Sequence, residues 1–286
     1  MKLSALFPEK RRDGAEAASV FLSLTVAIMA YLCLLLGQAV LSALVTPLFP
    51  HLVSTLSLFG AALVLLPLCF ARRPLDLRPS TLYLNVKRKT SARHFLIGLS
   101  VGLAALAFLI FLLLIFGVYE FVDVSFEDAA YLPLLLLAFC VQGSAEELLC
   151  RGFVMSRLCV RYGGVPAAFG SALFFALSHA WNPSVSLIGL FNVFLFGLLF
   201  SSVTQKTKSL FIASGIHAGW NFALSLFGIR ISGVAPRHSI LVLESRIDWL
   251  SGGNFGAEGS IFLTLLLLLT LFILFFIGHK KNIARK

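Results

Sequence analysis

Three short patterns in the amino-acid sequence put groups capable of acid–base chemistry at helical spacings. They are Glu146, Glu147 and Arg151 in CVQGSAEELLCRGF, His179 in FFALSHAW, and His217 with Asn221 in SGIHAGWNF. Glu147 and Arg151 stand four residues apart, the spacing at which two side chains meet on one helical face and can pair. Glu146 then projects about 100° around the same helix. This separates an oriented, salt-bridged carboxylate from a free one able to take a proton from water. His179 shares a face with Phe175, and His217 with Asn221, so the last pair aims two polar groups toward one point. Each pattern also has a plainer reading. The Glu–Glu–Arg cluster could snorkel at a helix end, and a single histidine could serve as an interhelical hydrogen-bond partner. Asn192 reads as adhesive between helices, and Trp220 as core.

The elements that must position these residues are membrane helices. With 59% hydrophobic and 13% charged residues among 286, the chain cannot hide its apolar surface in water. A spanning helix needs roughly 20 mainly apolar residues, and such stretches fall at 20–45, 52–71, 95–119, 131–160, 165–181, 184–204, 209–228 and 259–278. The expected fold class is therefore all-α, a polytopic membrane helical bundle of about eight transmembrane helices. Ionisable groups at bilayer depth are expensive, so each is a functional candidate. At 1.5 Å rise per residue, Glu146 lies ~16 Å inward from Arg157, His217 ~14 Å from Lys208 and His179 ~22 Å from Gly164. The three can share one chamber if the fourth helix is long or tilted. Water is expected to reach them through a cavity open to the cytosol.

Charge distribution sets the orientation. With both termini cytosolic, 20 of the 23 Lys and Arg residues lie inside and only Arg230, Arg237 and Arg246 outside. Acidic Glu120, Asp123, Glu127 and Asp128 occupy an outer loop, and Trp181 and Trp249 fall where an outer aromatic belt belongs. A net charge of +10 thus reports topology, and no nucleic-acid partner is expected. The run after Lys10, Arg11 and Arg12 is too long for a cleaved signal peptide and reads as a retained helix. The polar 72–94 segment reads as a solvated topogenic loop or as a strip on the headgroup surface. The glycine-rich end of the 229–257 segment suits turns that could cap the outer face. Five cysteines without paired spacing imply no disulfide framework. No internal repeat appears, which disfavours an inverted-repeat, proton-coupled carrier.

Taken together, EExxxR at Glu146, Glu147 and Arg151, FxxxH at Phe175 and His179, and HxxxN at His217 and Asn221 resemble the CAAX prenyl protease and bacteriocin-processing (CPBP, or Abi) family of intramembrane proteases. The likeness covers about residues 131–225, and Cys150 departs from the bulky apolar residue common at its position in the family. The resemblance implies that Glu146 activates water with help from His179. It further implies that Glu147 and Arg151 hold the site together and that His217 and Asn221 stabilise the oxyanion. No cofactor is implied; the competing arrangement is a zinc or other divalent ion held by Glu146, His179 and His217. The expected organisation is an N-terminal membrane region over 1–130, a catalytic helical core over 131–228, and an outer loop with a last helix over 229–286. The expected activity is that of an intramembrane endopeptidase in a bacterial inner membrane, working among membrane lipids on a protein or peptide, lipidated or unmodified. The rival from another class is a non-catalytic scaffold that regulates a membrane partner.

Overall fold

The computed structural model describes residues 20–73, 75, 77–236 and 238–283. The basic run Lys10, Arg11 and Arg12, together with Arg237, Arg285 and Lys286, lies outside the described residues. Deprived of water, a lipid-embedded backbone must satisfy its own hydrogen bonds, and each apolar run accordingly folds as helix. The first is α1 (Val20–Val45). The second combines α2 (Val53–Ser57), a tight turn of 3-10 helix (Leu58–Val64) and α3 (Leu65–Phe70). There follow α4 (Arg88–Ile115), α5 (Leu132–Glu147), a π-helical stretch (Leu148–Met155) continued by α6 (Ser156–Tyr162), α7 (Gly164–Ser178), α8 (Leu187–Thr207) and α9 (Leu210–Leu226). A short α10 (Asp248–Ser251) precedes α11 (Ile261–Ile283). Among the described residues, five helical stretches are long and apolar enough to cross a membrane. Gly164–Ser178, Leu210–Leu226 and Ile261–Phe276 are shorter apolar helices. The protein is an all-α polytopic membrane bundle.

Two local features differ from the sequence expectation. The acidic loop after α4 is partly a strand, β1 (Tyr119–Val124), paired antiparallel with β2 (Leu241–Ser245), with a bulge between Phe121 and Asp123. Arg246 and Glu120 clasp this ribbon through an ion pair. The segment before α4 keeps Arg72, Arg73, Arg78 and Lys87 exposed, yet it is not solvated throughout. Leu75, Leu77 and Tyr83 are buried, Tyr83 packs with Met155, Cys159, Ala167 and Leu210, and Arg157 donates to the Leu75 carbonyl. Its apolar residues therefore close one end of the bundle instead of facing water or lipid. Trp181 and Trp249 are largely exposed, 92% and 75%, as side chains at a membrane–water boundary would be.

Small residues bring the site helices together. Gly98 and Gly102 on α4 face Gly215 and Gly219 on α9. A Cβ on any of the four would stand 2.2–2.3 Å from a backbone carbonyl oxygen of the other helix, so only glycine permits this crossing. His217 sits between the two α9 glycines. Gly143 on α5 lies against His217, where an added Cβ would come within 3.3 Å of the ring. Asn192 fastens α8 to the start of α11: it donates to the carbonyls of Glu258 and Ser260 and accepts from Thr264. That is the adhesive role its lone polarity suggested.

Candidate active site

The fourth span runs without interruption from Ala129 to Tyr162, 34 residues, or ~51 Å of helix. It is long enough to satisfy the condition that depth placed on it. The two glutamates end α5, and the π-helical stretch begins at the next residue. A π turn widens the helix locally and is a frequent feature of functional sites. Glu147 and Arg151 pair as their spacing requires: Arg151 Nη1 donates to Glu147 Oε1 over 2.8 Å, and neither side chain has exposed surface. The guanidinium also lies over the rings of Phe175 (4.3 Å) and Phe200 (5.2 Å), which shield it from lipid.

Glu147 reaches a second partner. His217 Nδ1 lies 3.1 Å from the same Oε1 atom, and because a carboxylate accepts, Nδ1–H donates. The His217 ring stacks on Phe200, and its other nitrogen, Nε2, stands 3.8 Å from Glu146 Oε2. The carboxylate expected to hold the site together thus positions a histidine as well as an arginine. Glu146 has the opposite character. Its Oε1 accepts from Gln142, one helical turn earlier, while Oε2 is buried with no hydrogen-bond partner among the described residues.

Gln142 is a site residue that the motifs do not contain. It bonds Glu146, and its own carbonyl accepts from Asn221 Nδ2 at 3.1 Å. Asn221 is therefore wired to Glu146 through Gln142, with one amide hydrogen committed to that link. The signal was present in the sequence, since Gln142 stands four residues before Glu146, on the same face. His179 caps the end of α7. Its Nδ1 lies 2.8 Å from the Phe175 carbonyl; a carbonyl can only accept, so Nδ1 carries the proton and Nε2 is left as the acceptor. Among the described residues no direct bond joins His179 to Glu146.

A cavity of about 370 Å³ unites these groups. Glu146, Gln142, His179, His217 and Asn221 line it, with Cys150 and Phe175, whereas Glu147 and Arg151 lie behind its wall. Trp220 is buried as expected of core, yet it also lines the cavity and donates through Nε1 to Glu258. Glu258, which the sequence patterns pass over, accepts as well from the backbone and hydroxyl of Ser232 and ties the segment after α9 to the cavity wall. Among the described residues no group of three His, Cys, Asp or Glu side chains converges in a way that could hold a metal ion.

Residues 128–223 match the family model described as "Type II CAAX prenyl endopeptidase Rce1-like". The segment is similar to the CAAX-protease family. The match covers about a third of the chain and contains all seven residues of the three motifs. No curated protein and no solved structure matches the chain. The family is one of intramembrane endopeptidases, which indicates a protease acting on a peptide or protein substrate, and the apolar helices make the chain an integral membrane protein.

Proposed function

We propose that the protein hydrolyses a peptide bond in a membrane-associated protein or peptide by means of water activated at Glu146, without a metal. The observation that carries this reading is the buried Oε2 of Glu146, which accepts no hydrogen bond among the described residues, on the wall of a cavity shared with both histidines. A carboxylate base needs an open lone pair beside the water it deprotonates. In the proposed sequence Glu146 takes a proton from water while His179 Nε2 orients that water. The resulting hydroxide attacks the scissile carbonyl carbon. Negative charge gathers on the carbonyl oxygen, where the remaining amide hydrogen of Asn221, and His217 Nε2 when the ring holds both protons, act as donors. Glu146 then returns the proton to the leaving amine as the C–N bond breaks. Glu147 and Arg151 touch none of the reacting atoms and act by holding His217. The membrane we assign is a bacterial inner membrane with both termini in the cytosol, an orientation that the basic-residue asymmetry supports.

The test is cleavage of a quenched fluorescent peptide library, lipidated members included, by detergent-purified protein beside Glu146→Gln, with and without a strong chelator. Cleavage that is lost in the variant and indifferent to chelator is the expected result. Loss with chelator and recovery with Zn²⁺ would make Glu146, His179 and His217 metal ligands. Inactivity of the wild type on every member would favour a scaffold that regulates a membrane partner.

A further inference from the structure

The cavity is lopsided along the helix axes. From Glu146 its lining passes to Gln142 and Leu135 near the start of α5, to His179 and Asn182 at the end of α7, to Ser225 near the end of α9, and to Val234 beyond it. All of these lie toward one end of the bundle, where α5 begins and where α7 and α9 finish. Val234 is 56% exposed, so the lining reaches the surface there. The opposite end contributes no lining residue from 72–87, 162–164 or 207–209 among the described positions. That end is shut. Tyr83 and its buried neighbours fill it, the Leu210 amide bonds the Tyr83 carbonyl, and Gln205 bonds Gly164 across the helix ends. The two ends differ in charge as well. The closed end carries the basic segment Arg72–Arg93 with Lys206 and Lys208, while the open end carries Asp128 and the sparse Arg230 and Arg246.

Basic residues mark the cytosolic side of a membrane protein, so the open end faces away from the cytosol. The expectation of a cytosol-open chamber fails on this geometry. We infer that the site is reached from the extracytoplasmic side, and that its substrate is an exported peptide or the outward-facing segment of a membrane protein. This deepens the proteolytic reading and rests on it for the substrate, while the side of access stands independently. A lipidated C-terminus held at the cytosolic leaflet would meet the shut end. From Leu132 at the start of α5 to Glu146 is ~21 Å of helix. An extended chain advances about 3.3 Å per residue, so the substrate must offer roughly six unfolded residues to reach Glu146.

The experiment uses the full chain in the inner membrane of a bacterial host, with the five native cysteines replaced and single cysteines introduced by Val234→Cys or Thr207→Cys. A membrane-impermeant maleimide should label Val234→Cys in intact cells and Thr207→Cys only after permeabilisation; the reverse pattern would overturn the inference. With purified protein, a bulky maleimide on Val234→Cys should abolish cleavage of a peptide substrate and one on Thr207→Cys should leave it unchanged. Unchanged cleavage after complete labelling at Val234→Cys would show that substrate enters elsewhere. Absence of cleavage before any labelling would count against the proteolytic reading alone, because the labelling of intact cells would still report the side of access.

Discussion

Replacing each of the two adjacent glutamates should have opposite consequences. Two donors converge on Glu147 Oε1, Arg151 Nη1 at 2.8 Å and His217 Nδ1 at 3.1 Å. Hydrogen bonds to charged groups contribute about 1.5–3 kcal/mol each. Stranding a buried charge by deleting its partner costs about 3–5 kcal/mol, which agrees with the sum over the two bonds. The rings of Phe175 and Phe200 beside the guanidinium soften the loss, so Glu147→Ala should destabilise by about 3–4 kcal/mol, the lower part of that range. Glu146→Gln keeps volume and shape at a side chain that is 15% exposed on a cavity wall and should cost no more than about 1 kcal/mol. The assay heats each detergent-purified variant and measures the surviving monodisperse fraction by size exclusion, with peptide cleavage followed in parallel. Glu147→Ala should melt well below wild type and lose activity with its fold; Glu146→Gln should melt near wild type and cleave nothing. Equal melting of the two variants, or wild-type melting of Glu147→Ala, would refute the division of labour drawn from the geometry.

Other substitutions probe the frame and the link to Asn221. Gly219→Val puts a branched side chain where even a Cβ stands 2.3 Å from the Leu99 carbonyl oxygen; folded protein should vanish from the membrane fraction, whereas Gly117→Ala, which meets nothing within 4 Å but must hold a left-handed φ of 66°, should lose only about 1–2 kcal/mol and still accumulate. Gln142→Ala removes the bridge between Asn221 and Glu146 and should lower kcat more than it raises KM, with melting shifted by about 1 kcal/mol or less. Burial pushes the Tyr119 hydroxyl up to about 12 from an ordinary 10.0, opposed by a hydrogen bond from Ser251 and aided by Asp248. A raised value favours the neutral form in the folded state, so this contribution, worth about 2–3 kcal/mol, is present below pH 10 and lost as pH climbs toward 12. Tyr119→Phe should flatten the fall in melting temperature over that interval, and an unchanged slope would discount the effect.

Much of the arrangement was legible because helical periodicity is a local property. The i, i+4 spacing of Glu147 and Arg151 dictated their pairing, and depth counted along the helices placed Glu146, His179 and His217 in reach of one chamber. Eight apolar runs sufficed for an all-α membrane bundle, since lipid leaves the backbone few other choices. What the spacing could not show is which partners meet across helices. That His217 turns Nδ1 to Glu147 instead of to Asn221, and that Gln142 intervenes between Asn221 and Glu146, depend on how α5 and α9 are rotated against each other. That rotation is fixed by glycine contacts among α4, α5 and α9. The 72–87 segment illustrates the same limit: its polarity excluded a span, but only packing against α6, α7 and α9 made it a plug. Sequence alone determined the chemical groups, their depth and the charge of each end of the bundle. The tertiary structure decided which end is open, because a cavity is a property of how helices diverge and no single helix carries its signature.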